Sequence, residues 1–499
     1  MGPIRDERGL EQGGVNSSDF YKIFGKVQLV TAQQSGLGVG LGVITVAAIG
    51  QADDTALVSN DINDIQNLLN LSLDFCRKYC VQLCVEKTHL QAISTSDLAP
   101  LADYAKSVSP VNIHGEKIGF VDSAEHVGIL RSVGGNQPNL LRRIIAHKRA
   151  LGQVLHTGIA KGHHGNPAAS LKVNQIYGLP VLMSGLAALV MLKSDLNTLN
   201  QHYKTTLQNL MRLHAGTPSC VVHFLAGSLP GLALLHLRFL SLFGMITRLQ
   251  GSMLHRHAIH VLVHSKTSTK SWFHQIRNIC LQYKLPHPVL LLQEPPKKIL
   301  FKTMVTKAVI SFWEDKLRAE ASLLSSLQHF QPNYMSLIKP HPLWLTAGAS
   351  SYEVIKATIQ AKMLSGRYRT ELFCSHWSQN KAGVCLLSSC NGRFVPEDLP
   401  HILRDCPQLE ETRLQLKRFT AKYSTNLHES ITDIVQQLTD PSHPQNIQFL
   451  LDCSSLPVVI TLSQQLGGDV LFHLFHISRT WCYSLHRERL KYLGKFKFE

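Results

Sequence analysis

The spacing of apolar residues changes near residue 60, and this change limits the folds that the chain can adopt. Residues 1–60 are rich in glycine and β-branched residues, and the run 40–50 predicts a buried strand that ends at Asp53 and Asp54. From residue 62 to about residue 83 apolar residues recur at helical spacing, and Asp61 precedes them as a helix cap. Further helical patterns lie at 140–155, 302–328, 350–366 and 397–423. The chain is therefore predicted to be α+β, with a mainly α-helical C-terminal half.

The charge balance favours a polyanionic partner. Lys and Arg number 50 against 34 Asp and Glu, a formal charge of +16, which suits RNA or DNA better than an acidic small substrate. The 11 cysteines are odd in number, and a polar stretch follows Met1 where a signal peptide would have an apolar one. We expect an intracellular protein of the nucleus or the cytoplasm, with its cysteines reduced.

Three apolar stretches raise the question of membrane insertion. Stretches 36–50 and 179–192 are too short to span a bilayer. Stretch 220–246 is long enough but carries His223, Pro230, His236 and Arg238, and a central arginine or several polar groups are costly in hydrocarbon. We expect no stable membrane insertion, and a membrane-associated protein remains the least favoured of three functional classes.

A Cys-x4-Cys-x10-His-x4-Cys pattern stands in the C-terminal half at Cys385, Cys390, His401 and Cys406. Three thiolates and one imidazole are a ligand set of structural zinc sites, and the polar segment between them is short enough to fold around an ion. The alternative is a set of buried cysteines beside a surface histidine. Cys374 and His376 are the nearest substitutes if one assigned ligand is wrong. We predict one structural Zn²⁺.

The pair Asp53-Asp54 follows an apolar run and precedes Thr55. A hairpin with these acids at its tip would present carboxylate oxygens, which are the ligands that Mg²⁺ prefers. Polymerases use two such ions about 3.5–4 Å apart to align the attacking hydroxyl and the triphosphate. The alternative is an ordinary polar turn. The sequence thus indicates a candidate site for Mg²⁺ or Mn²⁺.

Two basic segments are candidates for contact with RNA or DNA. In the helix predicted at 140–155, one face carries apolar residues and the other carries four cations. The apolar set is Leu141, Ile144, Ile145, Leu151 and Val154, and the basic set is Arg142, Arg143, Lys148 and Arg149. The tail 479–498 mixes basic and aromatic residues. It fits either a nucleic-acid grip or a solvated, frayed terminus.

Several short segments occur in the order seen in one polymerase family. They are residues 8–17 with Gln12 and Gly13, the box Ala52-Asp53-Asp54, the pair Lys87-Thr88, the loop His126-Val127-Gly128-Ile129, and the later segments 143–150, 171–182, 363–371 and 376–378. Together they resemble the C-terminal part of a reverse transcriptase from a non-LTR (LINE-type) retrotransposon. The resemblance covers most of residues 8–420.

The resemblance implies functional roles and a domain layout. Asp53 and Asp54 would be catalytic and hold Mg²⁺, while Gln12, Gly13 and Lys87 would contact the incoming nucleotide or the template. The Cys-Cys-His-Cys pattern would be the C-terminal zinc module of the family. The implied layout is a partial palm at 1–130, a thumb-like helical region at 131–248, a connecting region at 249–372, a zinc-knuckle-like module at 373–425 and a basic helical tail at 426–499.

The departures from the family pattern bear on activity. Gln51 stands where the family has Tyr or Phe, and Ser18, Cys84 and His126 replace Pro, Asn and Tyr. The strand that carries the family's first catalytic aspartate would precede Gln12, and too few residues stand there to form it. We therefore expect an inactive, N-terminally truncated RNA-directed DNA polymerase. The alternative is a non-catalytic, zinc-containing remnant that binds nucleic acid.

Overall fold

The chain is mainly helical, with a few small sheets near its start. A computed structural model describes residues 17–51, 53–92, 111–126, 128–132, 135–155, 165–265, 271–376, 382–390, 394–467 and 469–494. Within these ranges the strands form four two-stranded sheets, all between residues 39 and 132. This arrangement is consistent with the predicted α+β class.

The first sheets lie between two helices. Helix α1 spans Ser17–Gln34. Two antiparallel hairpins follow it, the first formed by β1 (Val39–Leu41) with β2 (Ile44–Val46) and the second by β3 (Ala48–Gln51) with β4 (Asp54–Leu57). The prediction of one buried strand over 40–50 was wrong. Gly42 adopts a φ of 66° and turns the chain between β1 and β2, a conformation that glycine reaches without steric cost.

Helix α2 (Ile62–Tyr79) confirms the capping prediction. The Asp61 side chain accepts a hydrogen bond from the Asn63 amide at 2.7 Å, and the helix ends at Cys80 in a left-handed conformation. Leu69 and Leu73 of this helix pack into a small core with Val111 and Ile113. Helix α2 therefore supplies an apolar face to the N-terminal sheets.

Two further hairpins precede the helical part of the chain. They pair β5 (Asn112–Ile113) with β6 (Glu116–Lys117), and β7 (Ser123–His126) with β8 (Ile129–Ser132). The helices that follow, up to the middle of the chain, are α3 (Gln137–Val154), α4 (Pro167–Val173), α5 (Leu179–Met183), α6 (Lys193–Leu210), α7 (Ser219–Ala226), α8 (Gly231–Thr247), α9 (Met253–His264), α10 (Trp272–Gln282) and α11 (Pro288–Gln293). A five-residue π-helical turn, Asn174–Gly178, separates α4 from α5.

The second half is almost entirely helical. Its helices are α12 (Lys298–Ser322), α13 (Pro342–Leu345), α14 (Ser351–Leu364), α15 (Glu371–Ser375), α16 (Glu410–Ser424), α17 (Glu429–Leu438), α18 (Asn446–Asp452), α19 (Pro457–Leu466) and α20 (Asp469–Tyr492). The helices predicted at 302–328 and 350–366 correspond to α12 and α14. In the segment 397–423 only the second part is a regular helix, α16.

The chain divides into two compact units, each assembled from separate stretches. The first comprises 1–142, 185–195 and 238–305, and the second comprises 143–184, 196–237 and 306–499. The second unit is built around α20, which packs against α14, α16, α18 and α19. Trp481 of α20 is buried, and its indole nitrogen donates to the Thr420 hydroxyl at 2.9 Å. The five-segment domain layout stays a prediction.

The position of α20 corrects the interpretation of three residues in the tail 479–498. Arg479, Trp481 and Arg489 are all buried in the core of the second unit. They neither reach nucleic acid nor belong to a frayed terminus, because each is fixed among packed helices. Arg487 and Tyr492 of the same helix are exposed, so a nucleic-acid grip by these two residues stays a prediction. Residues 495–499 lie outside the described residues.

Across the described residues, no single helix has both the length and the apolar composition needed to cross a membrane. Two bent pairs reach that length and composition only together, α7 with α8 at an angle of 63° and residues 446–455 with α19 at 45°.

Candidate metal centre

The four predicted zinc ligands belong to a short, irregular segment of the second unit. Residues 383–385 and 395–397 form a minimal antiparallel pair, in which the Cys385 amide donates to the Val395 carbonyl at 2.9 Å and the Glu397 amide to the Gly383 carbonyl at 3.0 Å. Cys390 closes a 3₁₀ turn by donating its amide to the Leu387 carbonyl. The first two cysteines are thereby placed on one side of the site.

A wide helical turn supplies the other two ligands. His401 opens the turn, and the Cys406 amide donates back to the His401 carbonyl at 2.7 Å. The Asp398 side chain fixes the start of the turn by accepting from the His401 amide at 2.8 Å. This turn brings His401 and Cys406 toward the first pair.

The geometry of the four ligand atoms fits one ion. All four side chains are buried, and their ligand atoms lie within 4.8 Å of one another. The Cys390 sulfur is 3.7 Å from the Cys406 sulfur and 3.5 Å from His401 Nε2. In a tetrahedron with Zn–S bonds of about 2.3 Å and a Zn–N bond of about 2.05 Å, two sulfurs stand about 3.8 Å apart and sulfur and nitrogen about 3.6 Å apart. The group can therefore hold a metal ion such as zinc.

Burial makes the thiols dependent on a cation for ionisation. It raises the pKa of Cys385 to about 12 and also raises the pKa of Cys406. Backbone amides of Leu387 and Gln408 donate to these two sulfurs and oppose the rise. Burial lowers the pKa of His401, which keeps its imidazole neutral and able to bind metal. A bound divalent ion would displace the thiol protons, so metal affinity should fall at low pH.

Polar side chains outside the ligand set brace the segment. Gln408 accepts from the hydroxyls of Ser388 and Ser389 at 2.8 and 2.5 Å, which ties the two halves of the site together. The buried Arg413 guanidinium donates to the Cys406 carbonyl at 2.5 Å and pairs with Glu410 at 2.7 Å. These contacts hold the ligands in place from two directions.

A buried ion pair connects the segment to α20. Glu397 stands four residues before His401. It accepts two hydrogen bonds from Arg489, at 2.9 Å from Nε and 2.6 Å from a terminal nitrogen. The Glu371 amide also donates to Glu397, at 2.6 Å. Although burial lowers the pKa of Arg489, its hydrogen bonds to Glu397 raise it above the usual range overall. The sequence did not indicate this ion pair, since its two residues are 92 positions apart and belong to no common motif.

The proposed substitutes for the ligands stand apart from the group. Cys374 is only partly buried and His376 is exposed. Neither belongs to the set of four that the structure brings together. The four ligands assigned from spacing are the ones that converge.

The aspartate pair occupies the hairpin predicted for it. Gln51 pairs with Asp54, so Asp53 lies in the turn and Asp54 begins β4, and both are exposed. Burial raises the pKa of Tyr21 in α1, and the negative charges of Asp53, Cys76 and Asp54 add to that rise. Within the described ranges, the aspartates belong to no group of three potential metal ligands. A Mg²⁺ site here would have two surface carboxylates.

The other residues assigned by resemblance are less informative. Gln12 and Gly13 lie outside the described residues. Lys87 ends a 3₁₀ turn, Val85–Lys87, and is exposed. The loop at His126 is a hairpin turn, with His126 opposite Ile129 and Gly128 at a φ of 71°.

Helix α3 presents fewer free cations than predicted. Arg142 pairs with Glu125 at 2.9 Å and Arg143 is partly buried, whereas Lys148 and Arg149 are exposed. The apolar face also differs, because Leu141 and Ile145 are exposed. The buried stripe is Leu140, Ile144, His147 and Leu151.

His147 explains why the buried face of α3 differs from the predicted apolar face. Its Nδ1 lies 2.9 Å from His202 Nε2, and its Nε2 lies 3.0 Å from the Asn174 side-chain oxygen. A hydrogen-bonded histidine thus takes a core position that a search for apolar residues passes over.

Comparison with known proteins gives no family assignment. No protein-family model matches the chain, and none of the curated proteins matches it in sequence.

Proposed function

We propose that the Cys-Cys-His-Cys group binds one zinc ion in a structural role. Its four ligands fill a tetrahedral coordination shell, and all four are buried, which leaves no position for a water or a substrate. A catalytic zinc site keeps such a position open. The convergence of the four ligand atoms within 4.8 Å is the observation that carries this proposal.

The zinc proposal predicts one zinc ion per chain and loss of that ion in the variant Cys406→Ser. Structural zinc contributes on the order of 10–16 kcal/mol of apparent binding energy in small modules, so metal loss should unfold residues 383–409. Elemental analysis and proteolysis of protein purified without chelator would test this. Cys374→Ser is the matched control and should retain the metal. Absence of zinc from the wild-type protein, or full metal content in Cys406→Ser, would contradict the proposal.

We further propose that the chain is a non-catalytic nucleic-acid-binding protein that descends from a LINE-type reverse transcriptase and contains part of its palm. The formal charge of +16, the exposed Lys148 and Arg149, and the resemblance of its short motifs support this function. The zinc segment would act as a structural clamp. The two surface carboxylates at the hairpin, with no third potential ligand beside them in the part of the chain that the structure describes, favour a binding role over catalysis.

The binding function predicts sequence-independent affinity for RNA and DNA that weakens with salt. For single strands, the logarithm of the affinity should fall with the logarithm of salt concentration at a slope of about −0.7 per phosphate neutralised. A variant with Lys148→Gln and Arg149→Gln should have a shallower slope if α3 takes part. Affinity that does not change between low and high salt would argue against the proposal.

The second candidate is an active RNA-directed DNA polymerase. It is favoured by the position of Asp53 and Asp54 at the end of a hairpin, where they could hold Mg²⁺ or Mn²⁺. The primer-extension experiment described in the Discussion separates this candidate from the first.

A further inference from the structure

Helix α16 carries three exposed cations, Lys417, Arg418 and Lys422, which we call the basic face. Many other helical cations are paired with an acid three or four residues away, as in Arg77 with Asp74 and Lys491 with Glu488. Among the ion pairs of the described residues, none involves the basic face. Its charge is therefore available to a ligand.

Repulsion among the cations of the basic face destabilises α16. Arg418 and Lys422 stand four residues apart, a spacing at which like charges repel each other and weaken a helix. Lys417 adds a third charge beside them. The Asp440 carboxylate interacts with Lys417, because hydrogen bonds from Ser442 and the charge of Lys417 lower the pKa of Asp440. Among the ion pairs of the described residues none includes Arg418 or Lys422, and an anionic ligand would remove the repulsion between these two.

A cluster of rings borders the basic face. It consists of Phe419 and Tyr423 from α16 and Phe472, His473 and His476 from α20, and we call it the ring ledge. Tyr423 and Phe419 have centroids 5.9 Å apart at an interplanar angle of 28°, and the Tyr423 and His476 centroids are 4.9 Å apart. Phe472 is 46% exposed and meets His473 edge to face.

Hydrogen bonds fix the ring ledge in one arrangement. The Tyr423 hydroxyl lies 2.9 Å from His473 Nδ1, and His476 Nδ1 lies 3.3 Å from the Glu353 carboxylate. The Tyr423 and His476 rings are half-buried, so their positions are set by the packing of α16 on α20. A ligand that stacks on a fixed ring loses less entropy than one that must order it.

Helix geometry places the two features side by side. Arg418 precedes Phe419 and Lys422 precedes Tyr423, and successive residues of an α-helix point about 100° apart around its axis. The basic stripe and the ring stripe of α16 therefore run parallel along the helix. A single nucleic-acid strand presents phosphates along one edge and bases along the other, which matches this pairing.

We propose that the basic face and the ring ledge bind single-stranded nucleic acid, with phosphates at the basic face and one or more bases stacked at Phe472 and Tyr423. This inference rests on the proposed nucleic-acid-binding function, and it specifies the surface and the form of the ligand. A duplex engages the basic face only, because its bases are paired inside the helix and cannot reach the rings.

The test measures binding of a fluorescent 20-nucleotide thymidine strand and of a 20-base-pair duplex to the full chain, over a range of salt. For the single strand, the triple variant Lys417→Gln, Arg418→Gln, Lys422→Gln should have a shallower slope of log affinity against log salt concentration. The change should be about 2, because each of the three lost phosphate contacts contributes about 0.7. Phe472→Ala should weaken single-strand binding by roughly fivefold or more, as expected for a lost stacked base, and should leave duplex binding within about twofold.

A matched control isolates the surface. The triple variant Lys297→Gln, Lys298→Gln, Lys302→Gln removes the same charge from exposed positions elsewhere and should change the slope much less. If the wild type binds nucleic acid but neither the α16 triple variant nor Phe472→Ala differs from it, this inference is wrong and the broader function stands. If the wild type binds neither probe, the broader function is wrong as well. Equal weakening of strand and duplex by Phe472→Ala would overturn the stacking role.

Discussion

His223 is a histidine that the fold keeps neutral. It is fully buried in α7, and its Nδ1 lies 3.0 Å from the Ser228 carbonyl, so Nδ1 carries the proton and donates it. Its Nε2 is buried and has no hydrogen-bond partner among the residues that the structure describes. A second proton would place a charge on that nitrogen with no acceptor. Burial accordingly lowers the pKa of His223 to about 4.

Acid should destabilise the protein through this residue. The unfolded chain binds a proton at His223 below a pH of about 6.5, whereas the folded chain binds it only near pH 4. The free energy of unfolding should therefore fall as the pH is lowered from 6.5 to 4, by up to about 1.4 kcal/mol per pH unit for each such proton. His223→Asn keeps a donor for Ser228 and should remove one proton of this dependence.

Denaturant titrations at several pH values between 4 and 7 would measure the effect. The same substitution at the exposed His89 is the matched control. An unfolding free energy of the wild type that is flat across this range would contradict the neutral state of His223.

At the residue scale, sequence predicted side chains whose chemistry depends on local spacing. The metal ligands between Cys385 and Cys406 were found because a metal ion requires particular residue types at particular intervals. Asp61 was found because a helix cap does so too. Arg479 and Arg489 were misjudged because an arginine looks solvent-exposed until its carboxylate is located. Those carboxylates, Glu353 and Glu397, come from distant segments, and spacing alone could not identify them.

At the element scale, the pairing of Glu397 with Arg489 anchors the segment that contains the four candidate metal ligands to α20. The variant Glu397→Gln leaves the Arg489 guanidinium buried without its partner charge. Breaking a buried pair from one side costs about 3–5 kcal/mol. We therefore expect a lower free energy of unfolding by about that amount, measured by denaturant titration with zinc present.

The neighbouring pair on α20 provides a matched comparison. Glu488 pairs with Lys491 at 3.2 Å, and the Lys491 side chain is 68% exposed. Glu488→Gln should cost about 0–1 kcal/mol, because solvent screens such pairs. If the two variants lose equal stability, Glu397 is not the anchor that its geometry indicates.

Helices were easier to predict than the first strands. Helix α2 has a cap, an apolar face and a single period, and each of these signals agrees with the others. The run 40–50 carries apolar residues without a clear period, so it did not distinguish one long strand from three short strands. The deciding feature is the left-handed turn at Gly42, and glycine occurs both in such turns and within strands.

At the scale of the whole molecule, both compact units combine stretches that are separated in sequence. Patterns of composition and proline content divide a chain only into consecutive pieces. The grouping of 143–184 with 306–499 depends on side-chain packing that no local pattern encodes. The fold class was thus predictable, and the assignment of helices to units was not.

We expect that this chain does not extend a primer. Phosphoryl transfer by two metal ions needs carboxylates that hold both ions about 3.5–4 Å apart. Asp53 and Asp54 alone could hold one ion, which would leave the attacking hydroxyl unaligned. Each 1.36 kcal/mol of lost stabilisation lowers the rate about tenfold. The expected result is no detectable synthesis and no further change in Asp53→Asn, Asp54→Asn.

The measurement is extension of a DNA primer on an RNA template with Mg²⁺ or Mn²⁺. Synthesis by the wild type that the double variant abolishes would establish the polymerase as the function. Synthesis that persists in the double variant would point to a contaminating enzyme.

The ion pair between Glu397 and Arg489 cannot form until a late stage of translation. Arg489 follows Glu397 by 92 residues. At a translation rate of about 5–20 residues per second, Arg489 is therefore synthesised roughly 5–20 s after Glu397. All four metal ligands are translated before that guanidinium. An ion captured early would hold the nascent segment in shape during the delay, and a cell short of zinc would leave it open to proteases for that interval.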